Sequence, residues 1–205
     1  MNTAVAAPYP VTVKGDLSVP PGRWLWLVKW LLAIPHWIVL TFLVLGGVIA
    51  WVLAFFAILF TGKYPRSLFD YITGVLRWCW RVAFYGYTVL GTDKYPPFSL
   101  DPDPDYPADL HIEYPEKLSR GLVLVKWWLL AIPHYIIVGF FTGSGDGGGL
   151  TFFLALIAGV ALLFTGKYPQ DIFDLVVGMN RWAFRTYAYG SLVTDRYPPF
   201  RLYER

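Results

Sequence analysis

The segment Trp24-Leu-Trp-Leu-Val-Lys-Trp-Leu-Leu-Ala-Ile-Pro-His36 opens an apolar run that reaches Phe60 with no further ionisable side chain. Its last six residues, Leu31 to His36, return as Leu129 to His134. The motifs that follow return in the same order, Leu59-Phe-Thr-Gly-Lys-Tyr-Pro65 as Leu163 to Pro169 and Thr92-Asp-Lys-Tyr-Pro-Pro-Phe98 as Thr194 to Phe200, with Arg196 in place of the lysine. Two copies of roughly 95 residues therefore make up nearly the whole chain, divided here as 1–104 and 105–205.

Composition sets the solvent. Of the 205 residues 56% are hydrophobic, 19% aromatic and only 15% charged, and the mean hydropathy is +0.47. That is too little polar surface for a soluble domain of this length, and each apolar run exceeds the roughly 20 residues that cross about 30 Å of hydrocarbon. Trp and Tyr near the ends of the runs, beside Lys or Arg, suit the headgroup level or helix packing. No basic flank leads into an apolar stretch before Pro20, so no cleavable signal peptide is expected. The single cysteine, Cys79, excludes an intrachain disulfide, and the spacing of His36, His111 and His134 matches no zinc pattern. No metal and no cofactor are expected. The net charge of +3 comes without a dense basic run, which argues against nucleic acid.

The apolar run of the second copy is six residues longer between its histidine and its closing phenylalanine, and the excess falls in Thr142-Gly-Ser-Gly-Asp-Gly-Gly-Gly149. Irregular backbone carrying an aspartate belongs at an interface, not in hydrocarbon. The corresponding place in the first copy is Gly46-Gly47. Each run is accordingly predicted to be a hairpin, with incoming helices at 23–45 and 120–141 and returning ones at 48–61 and 150–165. The rival reading is an interfacial helix ending near Pro35 or Pro133, followed by one long transmembrane helix. The Thr-Gly-Lys-Tyr-Pro segments read as helix stops: Gly62 and Gly166 suit the left-handed cap, Lys63 and Lys167 the negative end of the dipole, and Pro65 and Pro169 bar continuation.

A further helix per copy is predicted at 66–89 and 170–191. At 100° per residue Asp70, Gly74, Arg77 and Arg81 fall within an arc of about 60°, and Asp174, Gly178, Arg181 and Arg185 repeat it. These stripes are candidate sites for a ligand or partner, either facing headgroup phosphates or turned inward with the acid pairing the guanidinium groups. An Asp/Arg bridge that only orients a helix is the alternative. His36 and His134 are further candidates, because imidazole titrates near neutral pH, although no Ser or Cys nucleophile accompanies them in the repeat. Basic flanks at Arg23, Lys29, Lys63 and Arg66, and again at Arg120, Lys126 and Lys167, make both copies face the same way with their flanks cytoplasmic. Val11-Thr-Val13, Leu110-His-Ile112, Phe98-Ser-Leu100 and Phe200-Arg-Leu202 alternate as short strands that could join the copies in a small sheet. The linker Asp101 to Pro107 reads as extended and solvated.

The order Ala-Ile-Pro-His, Phe-Thr-Gly-Lys-Tyr-Pro, Phe-Asp, Arg-Trp with a later Arg, and Thr-Asp-Lys/Arg-Tyr-Pro-Pro-Phe resembles a bacterial multi-pass membrane family known only as a domain of unknown function. The resemblance runs over both copies, about residues 8–203, and implies a tandem protein of the bacterial cytoplasmic membrane. It supplies no catalytic residues. The expected fold class is an all-α integral membrane protein of two tandem parallel repeats, each an apolar hairpin plus an arginine-stripe helix, with short cytoplasmic β-strands. The expected function is a non-enzymatic membrane module, a scaffold or accessory subunit in contact with lipids and other membrane proteins. The alternatives are a small transporter or channel for an anion or lipid headgroup using the paired stripes, and a lipid enzyme using His36 and His134 with Asp70 and Asp174.

Overall fold

A computed structural model describes residues 8–17, 19–143 and 148–203. Strand β1 (Val11–Gly15) precedes a 3-10 turn (Leu25–Val28), α1 (Lys29–Thr61) and α2 (Arg66–Tyr85). Strand β2 (Ala108–Ile112) then leads to α3 (Leu122–Val125), a π turn (Lys126–Leu130), α4 (Ile132–Thr142), α5 (Leu150–Thr165) and α6 (Gln170–Gly190). The fold is mostly helical with one two-stranded sheet.

The first apolar run is not a hairpin. Helix α1 passes without a break through Gly46-Gly47 and through Pro35. Gly46 is a packing notch: a Cβ there would lie 2.5 Å from the Tyr71 hydroxyl, which donates to the Leu43 carbonyl at 2.9 Å. The second run is interrupted where expected, between Thr142 and Leu150, but the incoming helix expected over 120–141 is also broken: Leu122–Leu130 and Ile132–Thr142 meet at an angle of 43°. Gly143 takes φ +83°, and the Thr151 hydroxyl donates to the Phe141 carbonyl across the gap at 3.0 Å. Residues 144–147 of the glycine-rich stretch, Asp146 included, lie outside the described residues.

Both helix stops form as read. Gly62 and Gly166 each take φ 71°, and their N–H groups bond to the Ile58 and Leu162 carbonyls. A second mismatch between the copies is subtler. The second copy carries one more tryptophan than the first between its lysine and its Leu-Leu-Ala-Ile-Pro-His motif: Lys29 is followed by Trp30, Lys126 by Trp127 and Trp128. A π turn occupies that place, Lys126–Leu130, and such a turn absorbs one extra residue without rotating the helix beyond it. Lys126 and His134 thereby keep the roles of Lys29 and His36.

The two strands pair antiparallel with Val13 opposite Leu110 at the centre and Gly15 opposite Ala108 at one end. Because Val13 and Leu110 are equivalent in the two copies, a pseudo-two-fold axis passes between them. Each strand packs on the other copy's helix, β2 on α2 and β1 on α6. Trp80 of α2 and its counterpart Phe184 of α6 meet beneath the ribbon with ring centroids 5.4 Å apart. Segments 98–100 and 200–202 are not strands. They bend across Gly74 and Gly178, where an added Cβ would come within 2.7 Å of the Leu100 Cβ and 3.0 Å of the Leu202 Cβ.

Helices α2 and α6 separate the ribbon from the apolar runs, which pack on them from the far side. Away from α2, α1 exposes Phe42, Leu45, Ile49, Leu53, Phe56 and Phe60, and α5 exposes Phe153, Ile157 and Phe164. In α1 and its preceding turn, an 18-residue window is only 17% buried at a mean hydropathy of 2.7, so the helix is long and apolar enough to cross a membrane.

Gly74→Ala is expected to lower unfolding stability by about 1–3 kcal/mol, since the Leu100 backbone cannot retreat from an added methyl. Gly47→Ala, with nothing within 4 Å of the new Cβ, is expected to raise it by about 0.5–1 kcal/mol. Thermal melts in mild detergent followed by tryptophan fluorescence compare the two. Deleting Trp128 is expected to cost a few degrees at most, because it restores the spacing of the first copy. Deleting Trp30, by contrast, would swing His36 about 100° away from α2 and abolish a cooperative melt.

Candidate functional site

The arginine stripes serve the polypeptide backbone. On α2 the Arg77 Nε donates to the Leu110 carbonyl at 2.9 Å and its Nη1 to the Leu100 carbonyl at 2.7 Å. Arg81, fully buried, donates to the Ser99 carbonyl at 3.2 Å and the Asp101 carbonyl at 2.7 Å. On α6 the arrangement repeats. Arg181 reaches the Val13 carbonyl at 3.3 Å and the Leu202 carbonyl at 3.1 Å, and Arg185 the Arg201 carbonyl at 3.4 Å while lying over the Tyr9 ring at 5.6 Å. Arg77 and Arg181 thus each grip the central residue of the strand donated by the other copy.

The acids of the stripes do not join them. Asp70 pairs with Arg66 on the exposed first turn of α2 at 3.1 Å, and Asp174 accepts from Gln170 at 2.8 Å. The carboxylate that meets the α2 guanidinium groups is Asp109 on β2, 3.3 Å from the Arg77 Nε and 3.8 Å from the Arg81 Nη2. On α2 an inward Asp70/Arg77 pair is therefore replaced by Asp109 of the ribbon, and on α6 Asp174 stays with Gln170 while Arg181 reaches main-chain carbonyls. The i, i+4 reach along a helix favours Arg66 or Gln170 at the solvated end, while the guanidinium groups are drawn toward unpaired carbonyls above them. Tyr106 closes this layer, its hydroxyl donating to the Lys94 carbonyl at 3.3 Å. Burial, the largest influence, pushes its phenol up, with Arg81 pulling the other way.

His36 and His134 sit in matching aromatic cages. The Trp78 Nε1–H donates to the His36 Nδ1 at 3.1 Å, and the Trp182 Nε1–H to the His134 Nδ1 at 2.9 Å. An accepting Nδ1 assigns the neutral tautomer protonated at Nε2. Phe98 stacks on His36 at 4.1 Å and Tyr95 lies at 4.7 Å, while Phe200 and Tyr197 hold His134 at 4.3 and 4.7 Å. Both histidines are fully buried, and neither Nε2 has a hydrogen-bond partner among the described residues. Asp70 lies eight residues before Trp78, about 12 Å along α2, so the imidazole–carboxylate pairing is not assembled.

The cages end in a feature that sequence reasoning passed over. The fully buried Lys29 Nζ donates to the Thr92 carbonyl at 2.6 Å and pairs with Asp93 at 2.9 Å. Lys126 likewise donates to the Thr194 carbonyl at 3.0 Å and pairs with Asp195 at 2.7 Å. The Tyr95 and Tyr197 hydroxyls donate to the Leu32 and Leu130 carbonyls at 2.9 and 3.1 Å. Thr-Asp-x-Tyr-Pro-Pro-Phe is thus a clamp: Asp holds the buried lysine, Tyr a helix carbonyl and Phe the imidazole. Lys29 and Lys126, read from sequence as basic flanks of the apolar runs, are instead buried, and a buried ammonium needs such a partner.

Elsewhere an apolar cavity of about 400 Å³ opens at the seam between the copies, bordered by Gly47, Trp51, Leu76, Cys79, Trp127 and Gly190, with no stripe arginine on its wall. Among the described residues no three His, Cys, Asp or Glu side chains gather as a metal site.

No curated protein and no solved structure matches the chain. A family model matches twice in tandem, over residues 23–99 and 123–201, so that each match spans one cage, one arginine stripe and one clamp. The chain belongs to the DUF4389 family, a domain of unknown function.

Proposed function

We propose that the protein is a non-enzymatic module of the bacterial cytoplasmic membrane, a scaffold or accessory subunit that contacts lipids and other membrane proteins. One observation carries this reading: the charged and polar side chains inside the fold are engaged in holding the fold together. Arg77, Arg81, Arg181 and Arg185 bind main-chain carbonyls, Lys29 and Lys126 bind the clamps, and His36 and His134 accept from tryptophans. The surface that α1 and α5 turn outward is apolar. Phe42 and Phe60 of α1 are each 70% exposed and Phe164 of α5 is 78% exposed, a surface of the kind that marks a membrane or a protein partner.

Purification from native membranes in mild detergent is expected to retain bound phospholipid or a stoichiometric membrane-protein partner. A lipid-free, monodisperse preparation without a partner would count against the module. In proteoliposomes, anion flux is expected to stay at the background of empty vesicles. Flux that a folded Arg77→Ala/Arg181→Ala protein loses would establish a transporter instead.

The clamps should behave as structure under mutation. Asp93→Asn is expected to cost about 3 kcal/mol by leaving the buried Lys29 ammonium without its counter-charge. Equilibrium unfolding of the detergent-solubilised protein measures the loss, and Asp195→Asn should match it within about 1 kcal/mol.

A further inference from the structure

We infer that the protein sits in one leaflet, with α1 lying along the membrane instead of crossing it. The inference rests on the membrane reading above and replaces the multi-pass placement expected from sequence. It follows from the pseudo-two-fold axis together with two contacts.

Val11, Val13, Ala108, Leu110 and Ile112 are all buried, so both strands turn the same face inward and the axis runs perpendicular to the ribbon through its centre. Lys14 and His111 are exposed beside that centre on the outward face. An inverted repeat has its axis in the plane of the membrane, which would set Lys14 and His111 at the depth of the bilayer centre. The axis therefore runs along the membrane normal, and equivalent residues of the two copies lie at equal depth.

The start of each apolar run touches the end of the other. Arg23, just before α1, covers Gly166 at the end of α5, where an added Cβ would lie 2.6 Å from its Nη2. Just before α3, the Leu118 N–H donates to the carbonyl of Gly62, the cap of α1, at 2.9 Å. Gly166 is equivalent to Gly62, so Arg23 has the depth of Gly166 and hence of Gly62. The two ends of α1 thus share one depth, although its 33 residues separate them by about 50 Å along the helix.

A single helix with both ends at one depth lies along the surface. Its exposed side chains Phe42, Ile49 and Phe60 face away from α2 and the ribbon, toward acyl chains. Exposed Arg23, Lys63, Arg120 and Lys167 mark the two ends of the apolar runs, where lipid phosphates lie. The length of α1, well beyond the thickness of about 30 Å that a crossing needs, is accounted for by this placement.

The test uses single cysteines in a Cys79→Ala background, at exposed Pro20, at exposed Lys63 and at Gly47 midway along α1. Each variant is probed with a membrane-impermeant maleimide in spheroplasts and in inverted membrane vesicles. Pro20→Cys and Lys63→Cys are expected to react in inverted vesicles only, and Gly47→Cys in neither preparation. Reaction of Pro20→Cys and Lys63→Cys from opposite sides, or of Gly47→Cys in spheroplasts, overturns the one-leaflet placement. A protein that stays in the supernatant when membranes are sedimented, with Gly47→Cys fully reactive, overturns the membrane reading itself.

Discussion

Buried guanidinium groups facing main-chain carbonyls are the interaction on which this fold depends. A two-stranded ribbon is marginal by itself, and the irregular segments 99–101 and 201–202 have no strand partners for their carbonyls. An unpaired buried carbonyl costs about 1–3 kcal/mol, and each stripe arginine offers several donors in a rigid fork. Arg77 and Arg81 together engage Leu110, Leu100, Ser99 and Asp101, and α6 repeats the arrangement. Gly74 and Gly178 let these segments come close enough for the guanidinium groups to reach them.

The second constraint is the buried lysine at the head of each apolar run. An ammonium with no accessible surface requires a counter-charge at hydrogen-bond distance, and Asp93 and Asp195 supply it from the far end of the same copy. Each aspartate also accepts from the chain that precedes its run, at the Gly22 and Ser119 N–H groups. The clamp therefore fixes three segments at one point: the approach to the apolar run, its first turn and the exit from the stripe helix. The aromatic cage two turns further on extends the same register, since Phe98 and Phe200 follow their aspartates by five residues and stack on the imidazoles.

Much of this was legible in the sequence where one residue type has one local meaning. Gly62 and Gly166 before a lysine and a proline could only close helices, and Val11-Thr-Val13 and Leu110-His-Ile112 alternate as a ribbon must. Other positions were ambiguous because their role is set by a distant neighbour. Gly46-Gly47 reads as a turn until the Tyr71 hydroxyl is seen to need the space. Asp70 shares a stripe with Arg77 on a helical wheel, yet Asp109, 32 residues further along the chain, takes the arginine and leaves Asp70 to Arg66. The unbroken course of α1 was hidden for a different reason: hydropathy measures how apolar a run is and carries no information on whether it folds back.

The same geometry explains the duplication. In a single copy, a strand such as β1 would lack both its pairing edge and the helix it packs on, because β1 lies on α6 and pairs with β2. Arg77 would face no Leu110 carbonyl, and Gly62 would have no Leu118 N–H for its own. Every one of these contacts crosses between the copies, and the Arg77–Leu110 contact has its counterpart in Arg181–Val13. One copy would therefore lack the ribbon and leave Arg77 and Arg181 without the strand carbonyls of Leu110 and Val13, while two copies supply these to each other. The repeat is the smallest closed unit that this arginine-to-backbone scheme can form.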